Sequence, residues 1–153
     1  MPISLESFEI GEKLGRGRFG HVFRIERKED KKAFALKVLV KSEISEVNII
    51  QQLLKEVEIQ KSIRHQYIIR LVGASQDTKR IYLFLELAEH GTLYQYLKKL
   101  GKFPEMITGK YIRQLLNALV YMHTKNIIVS DFLLRKSMQF RSQSISTPTA
   151  PRY

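Results

Sequence analysis

The sequence predicts an α+β fold, in which an antiparallel sheet is interrupted by one helix and followed by further helices. Residues 8–40 contain three short alternating or β-branched runs, the last of which, 33–40, encloses a single lysine. Over residues 45–63 the apolar side chains instead recur with helical spacing. Strand-like runs then return at 67–72 and 81–87, so the chain predicts five strands and one helix before its last helices.

The connections agree with this order. A charged cluster at 28–31 and a polar segment at 75–80 are typical of turns between neighbouring antiparallel strands. After a loop at 89–91, residues 92–100 predict a short helix that ends at Gly101. A longer helix over 104–125 has Pro104 near its first turn and an apolar face of five residues, namely Tyr111, Ile112, Leu115, Leu116 and Leu119.

Composition excludes several classes of protein. The 153 residues include no cysteine, which excludes disulfide scaffolds, cysteine-based zinc sites and thiol catalysis. No apolar run reaches the roughly 20 residues of a membrane span, and the first residues do not resemble a signal peptide, so we expect an intracellular protein without membrane contact. A net charge of +11 leaves nucleic acid open as a partner until the motifs are considered.

The last part of the chain differs in composition. Residues 132–153 are rich in Ser, Thr and Pro, and no acidic residue follows Asp131. We therefore predict a disordered basic tail there.

The most informative motif is Gly15-Arg16-Gly17-Arg18-Phe19-Gly20. Glycines of this kind let a backbone approach phosphate oxygens closely, although the pattern alone also occurs in dinucleotide-binding folds. There the loop opens a helix, whereas here the following residues alternate like a strand. The loop is therefore predicted at the tip of a β-hairpin.

Lys37 and Glu56 strengthen the prediction of a phosphate site. Lys37 lies inside an apolar strand, where an ammonium group is costly unless it is paired, and alternation puts it on one face with Ala35 and Leu39. Glu56 borders the apolar side of the predicted helix, while Glu58 points away from it. Glu56 is thus a candidate partner for Lys37.

Taken together, these motifs resemble a protein kinase: the glycine-rich loop, the lysine of the third strand and the glutamate of the first helix. The resemblance covers residues 8–128, as an N-lobe (8–87) followed by a hinge and the first C-lobe helices (88–128). The segments SFEIGEKLGRGRFGHV and IYLFLELAEHGTLYQYL are similar to Aurora-type serine/threonine kinases, with Polo-like and AGC kinases as the nearest alternatives.

The resemblance implies roles for particular residues. The glycine loop, with Arg16, Arg18 and Phe19 between its glycines, would cover the ATP phosphates, and Lys37, oriented by Glu56, would bind them. Adenine would lie against apolar residues and a backbone hinge. These are Leu14, Val22 and Ala35 for the adenine walls, Leu85 as gatekeeper, and Glu86, Leu87 and Ala88 for the hinge.

The family pattern breaks after residue 128. By spacing, Asp131 would be the proton acceptor of an H-R-D-x-x-x-x-N loop, but Val129, Ser130 and Lys136 replace the His, Arg and Asn. In a second alignment Ser130-Asp131-Phe132 would be a D-F-G motif that lacks its glycine. In a third, which we favour, the resemblance stops near Ile128. Every alignment leaves Mg²⁺, which the family uses, with missing ligands, so we predict negligible phosphoryl transfer.

Three functions remain in competition. The first is an ATP-dependent Aurora-like kinase, the second a non-catalytic module that binds ATP or a regulator, and the third a nucleic-acid binder, which the dispersed basic residues disfavour. For the first, the resemblance implies protein substrates, mitotic activators and a location at the centrosome, spindle or chromosome, within the cytoplasm or nucleus. The apolar face of helix 104–125 is a further candidate surface for a partner or for aggregation.

Overall fold

The computed structural model describes residues 3–17, 20–44, 47–89 and 91–128, and it divides into two compact units between Leu87 and Ala88. The first unit contains an antiparallel sheet and a helix. Its strands are β1 (Phe8–Gly17), β2 (Gly20–Arg27), β3 (Ala33–Val40), β4 (Leu71–Gln76) and β5 (Arg80–Glu86), in the spatial order β1-β2-β3-β5-β4. Its helix is α1 (Val47–Ser62). The predicted α+β fold with a five-stranded sheet is confirmed.

Two hydrophobic clusters lie on opposite faces of this sheet. On the face covered by α1, here called the helix face, the buried residues are Leu39, Ile44, Val57, Leu71, Ile81 and Leu83. On the other, here called the outer face, they are Phe8, Ile25, Phe34, Leu36 and Phe84. Alternation along the strands produces both sets, because successive side chains point to opposite faces.

The N-terminal segment covers part of the outer face. A single 3-10 turn, Leu5–Ser7, leads into Phe8, whose ring centroid lies 5.2 Å from that of Phe84. Ile3 lies against Gly73 so closely that a β-carbon on this glycine would overlap the Ile3 side chain. We call residues 3–8 the strap.

The prediction of a strand at 67–72 was wrong, because β4 begins only at Leu71. His65 instead organises a turn, in which its Nδ1 accepts a hydrogen bond from the Tyr67 amide (3.2 Å) and its carbonyl one from the Ile68 amide (3.1 Å). Ile68 and Ile69 are buried all the same. The apolar run at 67–72 thus correctly indicated that its isoleucine side chains are buried, but it wrongly indicated that its backbone pairs as a strand from Tyr67 onward.

The turn between β4 and β5 is shorter than the predicted 75–80, because Ser75 and Gln76 belong to β4. The carboxylate of Asp77 holds it together. Its Oδ1 accepts the amides of Lys79 (2.7 Å) and Arg80 (2.6 Å), and its Oδ2 accepts the Tyr82 hydroxyl (2.7 Å). These bonds, that from Tyr82 foremost, hold the pKa of Asp77 below its usual value.

The second unit contains helices α2 (Leu93–Leu100) and α3 (Glu105–Thr124). Thr92 and Gln95 form a reciprocal capping box at the start of α2, and Gly101 ends it with a φ of 73°. Phe103 packs against Tyr111 of α3 with 5.7 Å between ring centroids, and burial raises the pKa of Tyr111. Among the described residues, neither helix is long and apolar enough to cross a membrane.

The predicted apolar face of α3 is only half correct. The buried residues of this helix are Gln114, Ala118 and Met122, which lie to one side of the predicted face. Ile112 and Leu116, which belong to that face, are 51% and 54% exposed, and Val120 continues their line at 62%. The helix therefore buries a mixed face and leaves an apolar stripe exposed.

The turn between β2 and β3 supplies a test of acid stability. Arg27 donates two hydrogen bonds to Asp30, from Nε to Oδ1 (2.8 Å) and from Nη2 to Oδ2 (2.6 Å), and these lower the pKa of Asp30 to about 2 from 3.8. A carboxyl group with a lowered pKa stabilises the fold above pH ~4 and loses that contribution as the pH falls from ~4 to ~2. Asp30→Asn should therefore flatten the dependence of stability on pH in this window.

Urea denaturation at pH 5, 4, 3 and 2 measures this effect. The exposed neighbour Glu29 provides the matched control, Glu29→Gln, which should retain more of the wild-type slope than Asp30→Asn. Equal slopes in the two variants would assign the acid sensitivity to carboxylates outside this turn.

Candidate functional site

The sheet register aligns several predicted site residues in one row. Gly15 pairs with Val22, Val22 with Lys37, and Lys37 with Leu83, across four strands. Directly paired residues share a face of the sheet. Because Leu83 is buried under α1, the whole row lies on the helix face.

A second row runs beside the first. Ala35 pairs with Leu85 and Leu85 with Leu71, again on the helix face, and Ala35 is only 3% exposed. The small Ala35 side chain and the partly buried Leu85 thus form an apolar strip next to Lys37. Leu14, which precedes the first row in β1, is 45% exposed despite its apolar side chain.

Lys37 is partly buried between two apolar row partners, Val22 and Leu83. Apolar neighbours weaken the competition of water for a bound anion, so an ammonium group in this setting binds phosphate more strongly than one in bulk solvent. Glu56 lies on α1 next to Val57, which is buried in the core cluster of the helix face.

Glu56 lies on the inner side of α1, as its spacing in the sequence predicts. Its side chain is partly buried, whereas that of Glu58 is exposed. The structure therefore presents Glu56 and Lys37 on elements that share one hydrophobic cluster, α1 and β3.

The three glycines of the loop differ in what requires them. Gly20 has a φ of 154°, and a β-carbon there would overlap the carbonyl oxygen of Val38. At Gly15 no heavy atom lies within 4 Å of the position of a β-carbon, and at Gly17 the nearest is 3.8 Å away. Only Gly20 is thus demanded by the fold itself.

The remaining loop residues are distributed as follows. Arg16 pairs with His21, whose neighbours in register lie on the outer face, so the Arg16 side chain points away from the row of Lys37. Only the backbone of Arg16 can contribute to a site on the helix face. Arg18 and Phe19 lie outside the described residues, as does Asp131.

The hinge predicted at 86–88 spans the division between the two units. The Glu86 amide donates to the Arg70 carbonyl (2.9 Å), and the Ala88 carbonyl accepts from the Gly91 amide (3.3 Å). The Glu86 amide and the Ala88 carbonyl therefore already form hydrogen bonds within the protein.

Sequence reasoning missed Leu83, the partner of Lys37 in β5. The alternation of 81–87 contains the signal, since Leu83 shares a strand face with Leu85, but only the register shows that it lies opposite the lysine.

The described residues do not form a metal centre. Within 3–17, 20–44, 47–89 and 91–128 there is no group of three or more His, Cys, Asp or Glu side chains able to hold a metal ion. What the described residues can do chemically is bind an anion at Lys37 beside a flat apolar strip.

Comparisons with known proteins agree with these features. The model of the protein kinase domain family matches residues 8–134. The chain is 47% identical over 124 residues to an Aurora kinase of Schizosaccharomyces pombe, covering 81% of this chain and 35% of that protein. It is 44% identical over 127 residues to Aurora kinase A-A of Xenopus laevis (83% and 31%) and over 128 residues to serine/threonine-protein kinase Aurora-1 of Arabidopsis thaliana (84% and 44%). The chain thus spans less than half of the length of these relatives.

Proposed function

The chain belongs to the protein kinase domain family, and from this premise we propose that it is the ATP-binding portion of an Aurora-like protein serine/threonine kinase. The observation that carries the proposal is the pair Gly15 and Gly17. Neither has a positive φ and neither is crowded by the fold, so nothing within the described protein explains why both lack a side chain. A ligand that packs against the backbone there does explain it.

ATP fits the surroundings of these glycines. Gly15 stands in the same row and on the same face as Lys37, so phosphates under the loop come within reach of the ammonium group. Ala35 and Leu85, in the adjacent row, provide an apolar strip for adenine, with Val22 and Leu14 on its other side. In the proposed complex, the backbone of Glu86, Leu87 and Ala88 would hydrogen-bond adenine, as the resemblance to the family implies.

The role of Glu56 is to orient Lys37. A carboxylate beside an ammonium group fixes its direction and keeps it charged, which is what phosphate binding requires. Mg²⁺ would neutralise phosphate charge in the family, and the described residues contain no cluster of three or more side chains that could hold it by themselves. We assign no step to it.

The pair of open glycines provides a direct test. The double variant Gly15→Ala and Gly17→Ala should bind a fluorescent ATP analogue at least about tenfold more weakly, because the β-carbons occupy the space of the phosphates. Its free energy of unfolding should stay the same or rise by up to ~1 kcal/mol, because alanine restricts the unfolded chain.

Gly109→Ala is the matched control. Gly109 is an equally uncrowded glycine in α3, so this variant should gain stability without a change in nucleotide affinity. Unchanged affinity in the double variant would refute the proposal that the loop covers phosphates.

The second candidate is a module that binds ATP without transferring phosphate. It is favoured by the sequence at 129–136, where residues of the family's catalytic loop are replaced. We expect no transfer of labelled phosphate from ATP to a generic basic protein above the level of a Lys37→Ala variant. Transfer above that level would establish the enzyme instead.

The family also suggests biological context, which forms part of the same proposal. We propose protein substrates, mitotic activator proteins and a position at the centrosome, spindle or chromosome, as the resemblance to Aurora-type kinases implies. The exposed stripe of Ile112, Leu116 and Val120 on α3 is a candidate surface for a protein partner.

A further inference from the structure

A β-bulge in β1 gathers basic side chains on the outer face of the sheet. Lys13 pairs with Phe23, but Gly15 already pairs with Val22, so β1 has one extra residue between these pairs. Without it, Lys13 and Arg16 would point to opposite faces, because they are three residues apart. With it, Arg16 pairs with His21 and shares the outer face with Lys13.

Behind these two cations the outer face is partly apolar. The register continues from His21 to Val38, from Val38 to Tyr82 and from Tyr82 to Ser75, which completes a row across all five strands. Phe23 lies next to this row, 6.3 Å from the His21 ring centroid. We call these residues, together with Lys13 and Arg16, the outer row.

The strap leaves the outer row open. It covers the opposite end of the sheet, where Phe8 packs on Phe34 and Phe84 and where Ile3 lies against Gly73. In the outer row, Val38 and Tyr82 are only partly buried, and Lys13 and Arg16 are exposed. Neither of these two cations has an ion pair within the described part of the chain.

The far side of the outer row, on β5, is basic as well. Arg80 pairs with Val40 beside the row, and Lys41 donates from Nζ to the Asp77 carbonyl (2.7 Å). The Asp77 carboxylate already accepts three hydrogen bonds and so offers little to an approaching cation. At the other edge, the acidic residue next to Lys13 in the chain is Glu12, an exposed residue of the irregular part of β1.

From this arrangement we propose that the outer row binds an extended acidic peptide of a partner protein, with one apolar side chain at the centre of that peptide. These cations lie on β1 and β5, three strand spacings of about 4.8 Å apart, so roughly 14 Å, which an extended segment of about five residues covers at ~3.3 Å per residue. Acidic side chains at its ends meet the cations of β1 and Arg80, and the apolar side chain rests on Phe23 and Val38. Because the outer row is basic on both β1 and β5, charge complementarity selects an acidic partner.

A peptide fits the outer row better than single-stranded nucleic acid. Bases bind by stacking on exposed aromatic rings. Here Phe23 and Tyr82 are partly buried, and the Tyr82 hydroxyl is held by Asp77. The exposed groups that remain are the cations on β1 and β5.

The probe is a fluorescein-labelled peptide, Glu-Glu-Gly-Phe-Gly-Glu-Glu, measured by fluorescence anisotropy beside the same peptide with glutamines for glutamates. The wild-type chain should bind the acidic probe and not the neutral one. The double variant K13E and R16E should weaken binding at least about tenfold, and added salt should weaken binding to the wild type.

The matched control is K28E with K32E, which makes the same change in charge at the turn between β2 and β3, on the far end of the sheet. Its affinity should stay within about twofold of the wild type. If the reversed variant fails to fold by circular dichroism, Lys13→Ala with Arg16→Ala replaces it, with at least a fivefold loss expected.

Three results would overturn the proposal. Equal losses in the outer-row and control variants would show attraction by net charge alone. Tighter binding of a labelled oligothymidine than of the peptide would identify a nucleic-acid surface. Displacement of the peptide by ATP would place the peptide on the helix face instead. If ATP does not bind to the chain at all, the proposed ATP site is wrong, but the test of peptide binding to the outer row still holds.

Discussion

Replacing Gly20 with alanine should lower the free energy of unfolding by about 3 kcal/mol or more. The backbone of Gly20 has a φ of 154°, which residues with a β-carbon rarely adopt, and such strain costs of order 1–3 kcal/mol. The overlap with the Val38 carbonyl adds to this, because β2 must move away from β3 to relieve it. Urea denaturation followed by circular dichroism gives the difference.

The same loop provides the control for Gly20. Gly15→Ala introduces an identical methyl group five residues earlier, where no atom obstructs it. The free energies of unfolding of the two variants should therefore differ by the full loss expected for Gly20→Ala. A Gly20→Ala protein as stable as Gly15→Ala would mean that the junction of β2 and β3 does not hold the geometry described.

Replacing Lys37 with alanine should weaken ATP binding by about tenfold to a hundredfold, or roughly 1.4–2.7 kcal/mol. Lys37 lies between Val22 and Leu83 in the sheet register, and these apolar neighbours strengthen a phosphate contact of its ammonium group. The fluorescent ATP analogue measures the loss, and a melting curve of each variant shows that the fold is retained.

Lys28→Ala is the control for Lys37. It removes the same charge from an exposed turn and should leave ATP affinity within about twofold of the wild type. Equal affinities for Lys37→Ala and the wild type would remove Lys37 from the proposed site.

Strand alternation and helical phase account for what the sequence could predict. Alternation in β3 placed Ala35, Lys37 and Leu39 on one face, and the structure has Leu39 in the core under α1. Helical phase distinguished the partly buried Glu56 from the exposed Glu58. Both patterns depend only on the geometry of a single element, which local sequence determines.

Features that depend on pairing between elements were not predictable. The bulge that turns Arg16 to the outer face exists only in the register of β1 against β2. Glycine is required at position 20 because a β-carbon would overlap the carbonyl of Val38, a residue of another strand. This contact cannot be read from the sequence, in which the three glycines of the loop look alike. The start of β4 was misplaced because Ile68 and Ile69 are buried in a turn that His65 organises.

The exposed stripe of α3 has a related cause. Periodicity showed an apolar side of the helix, but which part of it becomes buried depends on the packing partner. Gln114 and Ala118 are buried while Leu116 is exposed, which no hydrophobicity pattern would favour.

We propose that ATP binds on the helix face of the sheet, under the glycine loop and beside Lys37. The most direct test is a titration of the ¹⁵N-labelled chain with MgATP, followed by two-dimensional amide NMR. Saturable shifts should centre on the amides of Gly15, Gly17, Val22 and Lys37, and they should disappear in Lys37→Ala. Shifts centred on the outer row, or none at millimolar ATP, would contradict it.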